Sequence, residues 1–277
     1  MSNLRADLTP YLEINALLQM LLDEVRAVLA AEFVGLYVHG SLASGDFAPG
    51  RSDVDFVVVT KGALPEEVLP ALAAMHQRLR ADGGKWAEKM EGSYIPRAAL
   101  RRHDPAHSHF PALRMDGSFD VDEHGSDWII QRHILRQHGL ALAGPSPRTL
   151  IDPVPAFALR QAAWGILDTW WRANLNDPTI LRTTEYQSYA VLTMCRARYT
   201  MQRGETASKK VAVDWARTHV DARWHTLMDW ALAWPEDEAA DHFAETLAFV
   251  ADTLQPGYHD SYFARNQDEE GADGAAK

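Results

Sequence analysis

The segment Asp53-Val54-Asp55-Phe56-Val57-Val58-Val59-Thr60 constrains the chain more than any other. A valine-rich run of this length reads as a buried β-strand. Side chains on a strand alternate between faces, so Asp53 and Asp55 point the same way at the head of an apolar element. Two like charges side by side repel, and a cation between them relieves the repulsion. Hard oxygen ligands two residues apart suit Mg²⁺, which keeps several waters and also takes phosphate oxygens. A solvated strand edge is the bland rival for such a pair. Against it stands Gly40-Ser41, separated by ten residues from Ser52-Asp53 and following the apolar run 33–38 after His39. A glycine turn leaving a strand and opening a helix presents backbone N–H groups to phosphate, and the serine hydroxyl adds a donor.

The surrounding pattern is mixed and then changes. Thr9-Pro10 reads as the start of an amphipathic helix through Ala31. Strands are expected at 33–38, 53–60 and 86–95, a helix at 64–81, and a break at Asp82-Gly83-Gly84. Residues 103–127 are rich in His, Asp and Gly and read as an extended loop. A helix at 128–138 closes at Gly139, and 142–147 reads as a strand-to-loop boundary. Beyond Asp152-Pro153-Val154-Pro155 strand signals almost vanish, and helices are expected at 158–175, 185–203, from 209 through 218, and at 238–254. The domains are therefore expected at 1–155 and 156–265, followed by a disordered acidic tail at 266–277. An α/β domain followed by a helical one leads to a ligand cleft between the two.

Composition narrows the partners. The formal net charge is -11, and an acidic surface repels phosphate backbones, so nucleic acid is not expected as a partner. Cys195 is the only cysteine, which excludes an intrachain disulfide. No apolar stretch reaches membrane-spanning length, so no membrane partner and a cytoplasmic location are expected. A monomer is the default expectation. His103, His107 and His109 are close in sequence, but their spacing fits no zinc pattern and the segment has loop composition. Cys195 reads as a small core residue, and the tryptophans of the second half read as core with one or two free to line a pocket.

GSLASGDFAPGRSDVDFVVV resembles the signature of the polymerase-β-like nucleotidyltransferases. ILRQHGLALAGPSPRTLIDPVP and LTMCRARYTMQRGETASKKVAVDWA resemble the streptomycin/spectinomycin adenylyltransferases, the aminoglycoside (3'')(9) adenylyltransferase-like family. The resemblance spans most of the chain. It implies an α/β (α+β) nucleotidyltransferase domain with a mixed sheet, followed by an all-α helical-bundle domain. It implies AMP transfer from ATP to a hydroxyl of an aminoglycoside or similar polyhydroxylated small molecule, with Mg²⁺, two ions by expectation, and release of pyrophosphate. Such activity is a route to antibiotic resistance.

Carried over residue by residue, the resemblance implies Gly40, Ser41 and Ser52 at the nucleotide, Asp53 and Asp55 as metal ligands, and Glu91 as general base and further metal ligand. It implies Arg196 and Lys209 at the triphosphate. Where antibiotic-modifying members carry an acidic Gly-Asp-Glu-like segment, this chain reads RTTEYQSYAV, so Glu185 and Tyr186 become the acceptor candidates. Glu88 competes with Glu91, Lys210 with Lys209, and Arg198 with Arg196. A macromolecular acceptor (protein or tRNA) and a non-catalytic nucleotide-binding regulator are the alternative functions.

Overall fold

The computed structural model describes residues 8–234 and 240–255. Its internal contacts divide the chain into two units, Met1–Pro153 and Val154–Lys277. The expected acidic tail at 266–277 lies outside the described residues.

The first unit is built from α1 (Leu12–Leu29), β1 (Phe33–Val38), α2 (Gly40–Ser44), β2 (Val54–Thr60), α3 (Leu69–Asp82), β3 (Met90–Pro96), α4 (Arg97–Arg101), β4 (His109–Leu113), β5 (Phe119–Glu123), α5 (Asp127–His138), β6 (Leu140–Ala143) and α6 (Pro147–Leu150). The strands form one mixed sheet in the order β5-β4-β3-β2-β1-β6. β2 and β3 are parallel, and the other pairings are antiparallel.

Strand alternation sorts the side chains onto two faces. Leu36, Val38, Val54, Phe56, Val58, Met90 and Tyr94 pack with Ile14, Leu17, Leu18, Leu21 and Leu22 of α1 and Leu72, Met75 and Leu79 of α3. The apolar residues of α1 recur every three or four positions, which gives one buried stripe. On this face His76 and Tyr94 share a buried hydrogen bond of 2.7 Å, and burial holds the imidazole down at about 3. The opposite face packs Tyr37, Val57, Val59 and Ile95 with Leu135 of α5, Leu150 at the end of α6 and Ile151 just after it. Asp55 lies in register with Val57 and Val59, and Glu91 with Ser93 and Ile95, so both carboxylates belong to this second face.

Four details differ from the sequence expectation. The expected loop at 103–127 contains the hairpin β4–β5, turned at Asp116-Gly117 with Gly117 at φ 86. An Asp-Gly pair between short strands is a hairpin signal, which the high His and Asp content obscured. The third strand begins at Met90, after a short 3-10 turn Ala87–Lys89. Helix α1 begins at Leu12, and Thr9 is buried beside it, its hydroxyl 2.8 Å from the Asn15 side-chain oxygen. A further strand, β6, occupies 140–143 and pairs with β1.

Among the described residues the second unit is helical: α7 (Ala156–Ile166), a π-helical turn (Leu167–Trp171), α8 (Arg172–Asn176), α9 (Thr184–Arg203), α10 (Lys209–Ala216), α11 (His225–Ala233) and α12 (Phe243–Thr253). α9 is the central helix, touched by α7, α10, α11 and α12. Thr183 caps α9 at its start, and Gly204 ends it in the left-handed conformation. Trp171, Trp224 and Trp230 are buried, whereas Trp170 is half exposed at 52%. No helix among the described residues is long and apolar enough to cross a membrane.

Candidate active site

β1 delivers the chain to Gly40 and Ser41, the first residues of α2. Gly40 has φ +61, and a Cβ built on it would fall onto the Asp55 carboxylate. Glycine is therefore required twice over, by its left-handed backbone and by the approach of that backbone to Asp55. The His39 N–H donates to the Asp55 carbonyl at 3.1 Å, which ties the start of the turn to β2.

Ser52 is buried, and its hydroxyl accepts from the Ala48 N–H at 3.0 Å. Its own N–H donates to the Ala48 carbonyl at 2.9 Å. Ser52 thus closes the loop that leads into β2. Asp53 precedes the strand and Asp55 is its second residue, both half-buried.

Glu91 sits directly beside Asp55 in the parallel β2–β3 register. Burial pushes the Glu91 carboxyl above its ordinary range, a hydrogen bond with Asp55 opposes this, and the Asp53 charge raises it further. Two carboxyl groups in hydrogen-bond contact, with a third close enough to repel, form a donor set that calls for a proton or a cation. Among the described residues no group of three or more His, Cys, Asp or Glu side chains is placed to hold a metal ion. Mg²⁺ can be held by one or two carboxylates when phosphate oxygens and water complete its shell. Glu88 lies in the 3-10 turn, exposed, rather than on the strand with Glu91. The two glutamates therefore differ by element and not by strand face.

A cleft of about 350 Å³ opens on the same face of the sheet. Asp55, Glu91 and Ser93 line it from the sheet, Ala112 to Met115 and Asp122 to His124 from the hairpin, and Asp127, Trp128 and Gln131 from α5. The Ser93 hydroxyl and His124 Nε2 lie 3.0 Å apart. The His124 ring stacks on Trp128 at 3.6 Å and 6°. Arg132, one turn along α5, is buried and donates to the carbonyls of Leu100, Trp128 and Ala99, which locks the helix against α4. The sequence reading missed the hairpin and α5 contributions. The Asp-Gly turn was the available signal.

In the second unit, Arg196 is half-buried on α9 and Lys209 half-buried at the first position of α10, two helices in contact. Their rivals are engaged elsewhere. Arg198 is fully buried and donates to Asp252 at 2.7 Å and Thr253 at 2.9 Å. Lys210 is exposed and pairs with Asp214 at 2.6 Å. Glu185 and Tyr186 are exposed in the first turn of α9, with the Tyr186 ring edge-on to Tyr189 at 6.0 Å. Cys195 is buried, and burial pushes its thiol up to about 12, so it is an inert core residue. His107 pairs with Asp104 at 2.9 Å.

Comparison with known proteins gives matches along both units. The nucleotidyltransferase domain model matches residues 21–103. The model for the C-terminal domain of aminoglycoside adenylyltransferase matches residues 149–255. An aminoglycoside (3'') (9) adenylyltransferase of Shigella flexneri is 26% identical over 232 residues, covering 78% of this chain and 83% of the relative. A spectinomycin 9-adenylyltransferase of Staphylococcus aureus is 24% identical over 217 residues, covering 74% and 78%. A crystal structure of spectinomycin adenyltransferase from Enterococcus faecialis, with ATP and spectinomycin, shares the fold. Its TM-score is 0.68 at 17% identity, covering 86% of this chain and 98% of that one.

Proposed function

We propose that this nucleotidyltransferase, whose first unit matches the nucleotidyltransferase domain and whose second matches the C-terminal domain of aminoglycoside adenylyltransferase, moves AMP from ATP to a hydroxyl of an aminoglycoside or a similar polyhydroxylated amine. One observation carries the chemistry. Asp55 and Glu91 face each other across parallel strands, beside a glycine turn whose backbone approaches Asp55. The relatives support the acceptor class through the names they bear.

In this reading the acceptor oxygen attacks the α-phosphorus, the bond from that phosphorus to the bridging oxygen breaks, and pyrophosphate leaves. Glu91 receives the hydroxyl proton. Asp53, Asp55 and Glu91 would hold Mg²⁺, two ions being the expected number, and the metal would supply neutralisation of charge on the triphosphate. The backbone of Gly40 and the Ser41 hydroxyl hold phosphate oxygens, and Ser52 keeps the loop before β2 closed. Arg196 and Lys209 supply positive charge to the β- and γ-phosphates. Glu185 and Tyr186 contact the acceptor.

The test is pyrophosphate release by the purified protein with Mg²⁺–ATP and a panel of aminoglycosides, with mass spectrometry of the product. Addition of AMP to an aminoglycoside, lost in Asp53→Asn, is the expected result. Transfer only to protein or tRNA would move the acceptor class, and ATP binding without release under any condition would leave a regulator.

A further inference from the structure

The glycine turn has little of its own to fix it. α2 is five residues long, and Leu42 is its one buried residue. Gly40, at its head, has a left-handed backbone and no side chain to pack. The placing of the Gly40 and Ser41 backbone therefore depends on what holds the residue before them.

His39 is that residue, and it is held at two points. Its N–H donates to the Asp55 carbonyl at 3.1 Å. Its ring is buried and hydrogen-bonded to the side chain of Gln131 on α5, the helix packed against α2. Burial keeps the imidazole neutral, with a pKa lowered to about 4. The bond to Gln131 favours the protonated ring, which makes the imidazole the donor and the amide oxygen the acceptor. A neutral ring has a single N–H, and it is spent on Gln131. A hydrogen bond is directional, so this one sets the rotation of the ring and of the backbone that carries it. Trp128, three residues before Gln131 on the same helix face, has its ring 6.4 Å from the His39 ring.

α5 is itself fixed from elsewhere. Arg132 donates to the carbonyls of Ala99 and Leu100 on α4. The Trp128 ring stacks on His124, which lies 3.0 Å from the hydroxyl of Ser93 on β3, two residues past Glu91. One helix thus supports the glycine turn through Gln131 and the strand of Glu91 through Trp128.

We propose that His39 and Gln131 are positioning residues, whose hydrogen bond holds the Gly40-Ser41 turn in place for the phosphates of the nucleotide. The inference rests on the nucleotidyl-transfer reading above and adds two residues that act on the nucleotide through the turn.

The experiment is a double-substitution cycle in the full chain: His39→Phe, Gln131→Met and the two together. Gln137→Met, at an exposed position of the same helix, is the control. Calorimetry reads Mg²⁺–ATP affinity, a thermal melt reads folding, and pyrophosphate release is followed with spectinomycin and streptomycin as acceptors. Each single change is expected to weaken Mg²⁺–ATP binding about tenfold, as the loss of one hydrogen bond would. The ATP KM should rise with it, while kcat and the acceptor KM stay within about twofold of wild type. The double variant should bind ATP no more weakly than either single one, because both break the same bond. Its melt should recover, since replacing both partners by apolar groups strands no buried polar atom. ATP affinity that follows the melt, falling in the single variants and returning in the double, would leave the pair a structural role only and overturn the proposal. Unchanged ATP affinity in the single variants, or additive losses in the double, would overturn it as well. If the wild-type chain does not bind Mg²⁺–ATP, the nucleotide reading fails and the tether falls with it. Binding without transfer to either probe refutes the acceptor class alone, and calorimetry with the melt then decides the tether.

Discussion

Gly40 is where backbone geometry and the proposed chemistry meet, and Gly40→Ala separates them. An alanine there adopts φ +61 and directs its Cβ into the Asp55 carboxylate. The left-handed backbone alone costs about 1–2 kcal/mol for a non-glycine residue. In a chain of this size that corresponds to a fall in Tm of about 2–8 °C. Asp55 must also move to make room, and a displacement of about 1 Å at reacting groups costs about 10²-fold in rate. Gly45→Ala is the matched control. Gly45 ends α2 at φ +82, but its added Cβ would meet nothing within 4 Å. Both variants should melt lower, Gly40→Ala by more because Asp55 must also move, and only Gly40→Ala should lose transfer by about a hundredfold. The assay is pyrophosphate release at saturating ATP beside a thermal melt. Near-normal turnover in Gly40→Ala would refute the coupling between the glycine turn and Asp55, a proposed metal ligand. An equal loss in Gly45→Ala would show that strain in α2, and not Asp55, governs the rate.

Lys209→Ala should raise the KM for ATP by about tenfold, in keeping with its proposed place at the triphosphate, while Lys210→Ala, which removes an exposed side chain, changes it little. Calorimetric ATP titration of both variants checks this, and an unchanged affinity in Lys209→Ala removes that residue from the triphosphate. Acid should destabilise the fold through buried neutral histidines: His76 and His124 titrate at about 3 when folded, and His39 at about 4, each held down chiefly by burial. Between an unfolded value of about 6.5 and those folded values the unfolded chain binds more protons, so their contribution is full above about 6.5 and is lost as pH falls toward 3. The slope is about 1.4 kcal/mol per pH unit for each fully affected histidine. Urea unfolding at pH 7 and pH 5 should show the drop, and His76→Phe should reduce it.

Local pattern made much of this legible. The valine run of β2, the amphipathic stripe of α1 and the loss of strand signals after 155 each follow from side-chain period and burial, which neighbouring residues encode. The convergence of Asp55 and Glu91 was legible only in part. Their roles came from a resemblance, whereas their contact depends on a parallel β2–β3 register that residues 61–89 do not spell out. The cleft wall was not legible. Its hairpin is short and polar, with strand β5 reading FDVDE, so a half-exposed edge looked like a loop. The Ser93–His124–Trp128 stack joins three elements distant in sequence, and no periodicity announces such a meeting. Glu88 shows the same limit at smaller scale. The expected strand at 86–95 takes it in, but it lies in a 3-10 turn, where strand faces no longer apply.

The central claim is that Glu91 takes the proton of the attacking hydroxyl. The most direct measurement is the rate of transfer by Glu91→Gln against Mg²⁺ concentration at saturating ATP, with Glu88→Gln beside it. Glutamine keeps the shape but neither the charge nor the basicity. Loss of a positioned base is expected to lower kcat by about 10²–10⁴-fold, at every Mg²⁺ concentration and with ATP binding intact. Glu88→Gln, altered only in an exposed turn, should match wild type. Recovery of Glu91→Gln at high Mg²⁺ would make Glu91 a metal ligand only, and turnover within tenfold of wild type would contradict the base assignment outright.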